Sequence, residues 1–121
     1  MIAKQTNPFI GKWRITHMEV WDQEFVDLVV PGFIQFDEDN LGKFQFGAVH
    51  GFLDCRLESV GKKKRMEFSW RGLDESDETC GRGWAEVESE EMVGRLFIHM
   101  GDDSEFCALP ANGRRSRSKA G

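Results

Sequence analysis

The chain has 121 residues, a formal net charge of −5 from 16 Lys and Arg against 21 Asp and Glu, and an aromatic set of ten Phe and four Trp with no Tyr. That length suits one domain with a single core and no need of disulfides, because a chain of this size buries roughly two-thirds of the surface its unfolded form exposes. Catalysis by tyrosine is excluded, and so apolar an aromatic set belongs inside or along a pocket wall.

The charge is unevenly placed. Arg114, Arg115, Arg117 and Lys119 carry four positive charges, so the body without them stands at −9. Such a body repels nucleic acid and anionic membrane surfaces. Neither basic run, "GKKKR" from Gly61 to Arg65 or "RRSRSK" from Arg114 to Lys119, interleaves an aromatic for base stacking, which argues further against nucleic acid. No stretch approaches the ~20 apolar residues of a membrane helix, and "MIAKQTNPF" lacks the apolar core of a signal peptide, so the expected location is the cytoplasm. Cys55, Cys80 and Cys107 are odd in number and free of any C-x-x-C pairing, a pattern that fits neither a disulfide framework nor a zinc site.

In chain order, "KWRITHMEVW" (12–21) alternates with period two, placing Trp13, Ile15, His17, Glu19 and Trp21 on one face of a strand. "DQEFVDLVVPG" follows with Asp22 as N-cap, Phe25, Leu28 and Val29 at helical spacing, and a stop at Pro31-Gly32. Strands are then predicted at 33–36, 43–50, 52–60, 65–72, 82–88, 93–100 and 105–110. The segment "LDESDETCG" reads as a longer loop between the fifth and sixth. These eight strands, almost all joined by tight turns, predict an all-β, eight-stranded antiparallel up-and-down β-barrel with one short helical segment between strands 1 and 2. An open sandwich is the alternative, and only the loop at 72–81 is long enough for its crossover. The expected organisation is a leader over 1–10, the barrel over 11–110, and a disordered basic tail over 111–121.

The "GKW" at Gly11 to Trp13, opening the first strand ahead of a helical segment and a run of hairpins, resembles the calycin superfamily of lipocalins, fatty-acid-binding proteins and avidins. The resemblance implies that Trp13 closes one end of the barrel beneath a basic side chain from a late strand, for which Arg95 is the candidate. The chain departs from secreted lipocalins in its shorter length and in lacking a signal peptide and a closing helix. It also resembles a small bacterial family whose members begin near "NPFIGKWRI", a likeness that implies no function.

Polar residues on apolar faces mark the candidate site. If the face of Trp13 and Ile15 continues inward, His17 and Glu19 form a polar mouth above an apolar floor, and Trp84 with Glu86, and His99 beyond Arg95 and Phe97, repeat the pattern. The expected ligand-binding set is therefore His17, Glu19, Trp21, Phe46, Trp70, Trp84, Glu86 and His99, around a small, largely apolar molecule with a polar end. The opposite register for 82–88 and 93–100, burying Ala85, Val87, Leu96 and Ile98, is equally open. Two further functions stand beside ligand binding. One is an enzyme pairing His17 or His99 with Glu19 or Glu86 as acid and base. The other is a protein-interaction module with a solid core, working through the acidic loops Asp74 to Glu78 and Asp102 to Glu105.

No cofactor or metal is expected. His17, His50 and His99 lack a spacing that puts two on one face, and "DEDNLG" (Asp37 to Gly42) fails as a calcium loop because Leu41 and Ala48 fall where oxygen ligands are needed. No G-x-S-x-G is present, and Cys80 is the one thiol placed to react. The oligomeric state is left open.

Overall fold

The period-two alternation resolves into eight strands and one helical turn in the computed structural model, which describes residues 7–111. Residues 1–6 of the predicted leader and 112–121 of the predicted tail lie outside the described residues. The elements are β1 (Gly11–Met18), α1 (Gln23–Val26), β2 (Phe33–Phe36), β3 (Leu41–Phe46), β4 (Val49–Val60), β5 (Lys63–Asp74), β6 (Asp77–Glu88), β7 (Glu91–Ile98) and β8 (Asp103–Pro110). Each strand lies antiparallel beside its sequence neighbours, and β8 returns to β1, so the sheet closes into the expected up-and-down barrel.

Several strand bounds differ from the sequence reading, β1 ending at Met18 and β7 at Ile98, and two of the differences change the connections. The run at 43–50 is broken at Gly47, whose φ of 60° turns the chain, so that His50 belongs to β4. The loop expected at 72–81 is a hairpin, with β5 running to Asp74 and β6 starting at Asp77. Its residues carry no apolar alternation because this end of the hairpin is largely solvent-exposed, so periodicity had nothing to register. The only candidate for a sandwich crossover disappears with that loop.

The interior is filled by pairing large side chains with none. Directly across the sheet from Phe36, Phe44, Phe68, Trp70 and Phe106 lie Gly42, Gly51, Gly83, Gly81 and Gly94. A Cβ at Gly51 would stand 2.7 Å from the Trp70 ring, one at Gly83 2.5 Å from Phe68, and one at Gly94 2.6 Å from Phe106. Phe44, Phe68, Trp70 and Phe106 thus lie against bare backbone, whereas a Cβ at Gly42 would meet the Gln35 carbonyl and Leu53. Phe36 on β2 meets Phe68 on β5 at 6.0 Å between ring centroids, a contact that crosses the interior because β3 and β4 separate those strands along the wall. Met18, Met66, Met92, Ile34 and Leu96 are buried with them, each side chain contributing ~1.5–3 kcal/mol by leaving water. Ser104 is the buried polar side chain among the described residues, and its hydroxyl is satisfied by accepting from Val20 N–H and donating to the Glu105 carbonyl.

Both barrel ends are covered. At the start of β1, Gly11 takes φ of 126° to turn the chain inward, and Phe9 is wholly buried as a plug. The Trp13 indole N–H donates to the Phe9 carbonyl at 2.9 Å and fixes that plug. At the other end α1 buries Val26, while Trp21 and Phe25 pack on Phe46. Asp22 caps the helix by accepting from Phe25 N–H. Arg14 then clamps it through its two terminal guanidinium nitrogens, which donate to the Asp27 carboxylate at 3.0 and 2.9 Å. Burial raises the Asp27 carboxyl, but hydrogen bonds from Gly32 N–H, Arg14 and Gln23 outweigh it and leave the group below its ordinary range.

Gly83→Ala is expected to destabilise the fold by ~1–3 kcal/mol, because the added methyl meets both the Phe68 ring and the Arg95 carbonyl. Chemical denaturation of wild type and variant measures this directly.

Candidate functional site

The inward face of β1 does not continue as its alternation suggests. Ile15 lies opposite Ala108, but the next partner of β8, Cys107, faces His17, so an extra residue bulges between them. Thr16 and His17 both turn outward, and Met18 takes the buried place. His17 and Glu19 are therefore exposed on the outer wall, where the Glu19 carboxylate accepts from Glu105 N–H and lies 3.5 Å from the Arg95 guanidinium.

The second register settles the same way. Ala85 is buried and Val87 packs on the core, which sends Trp84 and Glu86 to the outer wall of β6. The Arg65 guanidinium stacks over Trp84 at 4.2 Å and donates twice to Glu86, at 2.9 and 2.8 Å. His99 follows β7 in an exposed turn. Of the eight expected residues, Phe46 and Trp70 face the interior, Trp21 lines the α1 end, and His17, Glu19, Trp84, Glu86 and His99 stand outside. Among the described residues no histidine side chain makes a hydrogen bond or ion pair to a carboxylate, and no group of three His, Cys, Asp or Glu side chains is placed to hold a metal. Arg95 is not the partner of Trp13: it is on the outer wall, bound to Asp103 at 2.8 Å.

The outer wall follows a repeated design. Where an aromatic faces out, a cation covers it: Lys12 over Phe33 at 4.5 Å, Arg65 over Trp84, and Arg82 over Phe97 at 5.7 Å. Phe52 on β4 is the exception. It is 67% exposed, and its cross-strand neighbours Lys43 and Arg71 have neither a stacked position over it nor an ion-pair partner among the described residues. Beside it runs a groove of about 670 Å³ whose lining includes His50, Phe52, Arg71, Leu73, Glu78 and Cys80. An exposed aromatic between two uncommitted cations can take an apolar anchor and an adjacent carboxylate together.

The sequence carried a signal for this residue. In "HGFLDCRLE", Phe52 shares its phase with Asp54, Arg56 and Glu58, so a large aromatic sits on the polar side of an otherwise regular alternation. No protein-family model matches the chain, and no curated protein or solved structure matches it either.

The cysteines divide by wall. Burial pushes the Cys55 thiol up to about 12, helped by the negative charges of Asp54, Asp37 and Asp39, whereas Cys80 is exposed in the groove. The unfolded thiol ionises near 8.5 and the folded one does not until far higher. The stability this group contributes is therefore complete below about pH 8.5 and lost progressively as the pH rises toward 12. Native protein is expected to react with a thiol reagent at Cys80 and to expose Cys55 only on unfolding, and Cys55→Val should lose less melting temperature between pH 8 and 10.5 than wild type.

Proposed function

We propose that this barrel is a protein-interaction module that works from its outer wall, its interior being committed to its own packing. The observation that carries the reading is the set of inward aromatics seated on cross-strand glycines. A small apolar ligand inside would have to displace Phe36, Phe44, Phe68 or Trp70, each of which is nearly or wholly buried. The contact face is the wall of β3 to β6 around Phe52, and its partner presents an apolar side chain next to an acidic one.

In architecture we place the chain with the calycin-type barrels. The eight-stranded up-and-down order, the helix between β1 and β2, and Trp13 under the closed end support that placement. The basic residue such barrels set over the tryptophan has no counterpart in Arg95, so the placement rests on topology and on "GKW".

Of the two acidic loops, Asp74 to Glu78 borders this face through Glu78, and Asp102 to Glu105 is the lesser candidate for contact. In the loop from Asp102 to Glu105, Asp103 is held by Arg95 and Glu105 is tied to Glu19 through its N–H.

A photo-crosslinking aromatic in place of Phe52, introduced in the protein's own cells, is expected to give a discrete protein adduct that Arg71→Glu suppresses. The same group at Thr16, on the far wall, should give none. Phe52→Ala should leave stability within ~0.5 kcal/mol and weaken the complex by about 2 kcal/mol, roughly thirty-fold. Equal labelling from positions 52 and 16, with a small molecule of defined mass retained in native mass spectrometry, would contradict the reading.

A further inference from the structure

The β3–β4 ladder stops before β4 does. Its last pair is Leu41 with Asp54, and Cys55 N–H then reaches the Asn40 carbonyl at 2.9 Å. Beyond that point Arg56 to Val60 pair only with β5, and all five are exposed. In an antiparallel strand alternate residues point their N–H and C=O to the same side. Cys55 points toward β3, so Leu57 and Ser59 do too, into a space that no strand occupies among the described residues.

Exposed edges of this kind are usually shortened, covered or made repulsive. Here the edge carries exposed Leu57 and Val60, with exposed Leu41 at the point where β3 begins. Arg56 and Glu58, which flank Leu57 on the outer face, have no ion-pair partner among the described residues.

We propose that this edge pairs with its own copy in a two-fold symmetric dimer centred on Leu57. With Leu57 opposite Leu57 of the second copy, the two residues exchange N–H···O=C bonds in both directions. The same register sets Arg56 of each copy opposite Glu58 of the other, giving two ion pairs from one symmetric contact. Pairing ends where the incoming strand reaches β3, which brings Val60 up to Leu41 and the basic turn Lys62 to Lys64 up to the acidic turn Asp37 to Asp39. Strand bonds, ion pairs, apolar ends and turn charges are thus all self-complementary in one register. The dimer is independent of the Phe52 face, which lies on the same wall but outside the edge.

Sedimentation equilibrium over a concentration series tests it, with circular dichroism to verify folding. Wild type is expected to show a reversible monomer–dimer equilibrium. Arg56→Glu and Glu58→Arg, each placing like charges opposite one another, should raise the dissociation constant about ten-fold or more, and the exchanged pair R56E/E58R should return it to within about three-fold of wild type. Leu57→Pro, which removes the edge N–H, should leave a folded monomer. A strictly monomeric wild type, a larger oligomer, or a dimer whose affinity neither charge reversal changes would overturn the proposal. So would a dimer weakened by both reversals and not rescued by the exchange.

Discussion

A methyl group is all that separates the inward glycines from a steric conflict. At Gly51, Gly83 and Gly94 a Cβ would enter an aromatic ring, and at Gly42, Gly72 and Gly81 it would meet the backbone of the next strand. An eight-stranded barrel has an interior just wide enough either to be filled by side chains or to hold one small ligand. Placing glycine opposite phenylalanine or tryptophan decides for filling, since each ring gains the volume its neighbour gives up and reaches the axis in a tight fit. Such a core is intolerant of both gain and loss of volume, which ties the fold's stability to a few exact pairings.

That commitment places the polar chemistry outside. The bulge in β1 keeps His17 and Glu19 out of the core, and the phase of β6 does the same for Trp84 and Glu86. The wall that results is built from cations laid over aromatics and from short ion pairs such as Arg65 with Glu86 and Arg95 with Asp103. Contacts of this exposure contribute little individually to stability. They do cover apolar surface, and against that background Phe52, between Lys43 and Arg71, is the aromatic left open. The covering is missing at two places, at Phe52 on one face and along the free edge of β4 beyond Asp54, and these carry the two proposed contacts.

Strand count, topology and the helical turn were legible in the sequence because each depends on local pattern: alternation, Asp22 as a cap, Pro31-Gly32 as a stop. The hairpin tip at 74–77 was not, because residues exposed on both faces alternate nothing. The candidate site depended on register, and register can be shifted by a single residue. Extrapolating from Trp13 and Ile15 to His17 assumed unbroken alternation, whereas the bulge reverses the phase one residue before the histidine. For β6 the choice between Trp84 and Ala85 as the inward residue is settled by Gly83, which must lie against Phe68 and so puts its neighbour Trp84 outside. That constraint depends on the register of the β5–β6 hairpin, whose turn at 74–77 left no periodicity from which the register could be read.

The filled interior is the claim on which the rest stands, and methyl-resolved NMR tests it most directly. With the Met18, Met66 and Met92 methyls observed while medium- and long-chain fatty acids are titrated in, the packed core predicts no saturable shift at any of the three, since all are buried against neighbouring side chains. Saturable shifts at those methyls, following one binding isotherm, would mean that the barrel opens to a ligand and would contradict the account.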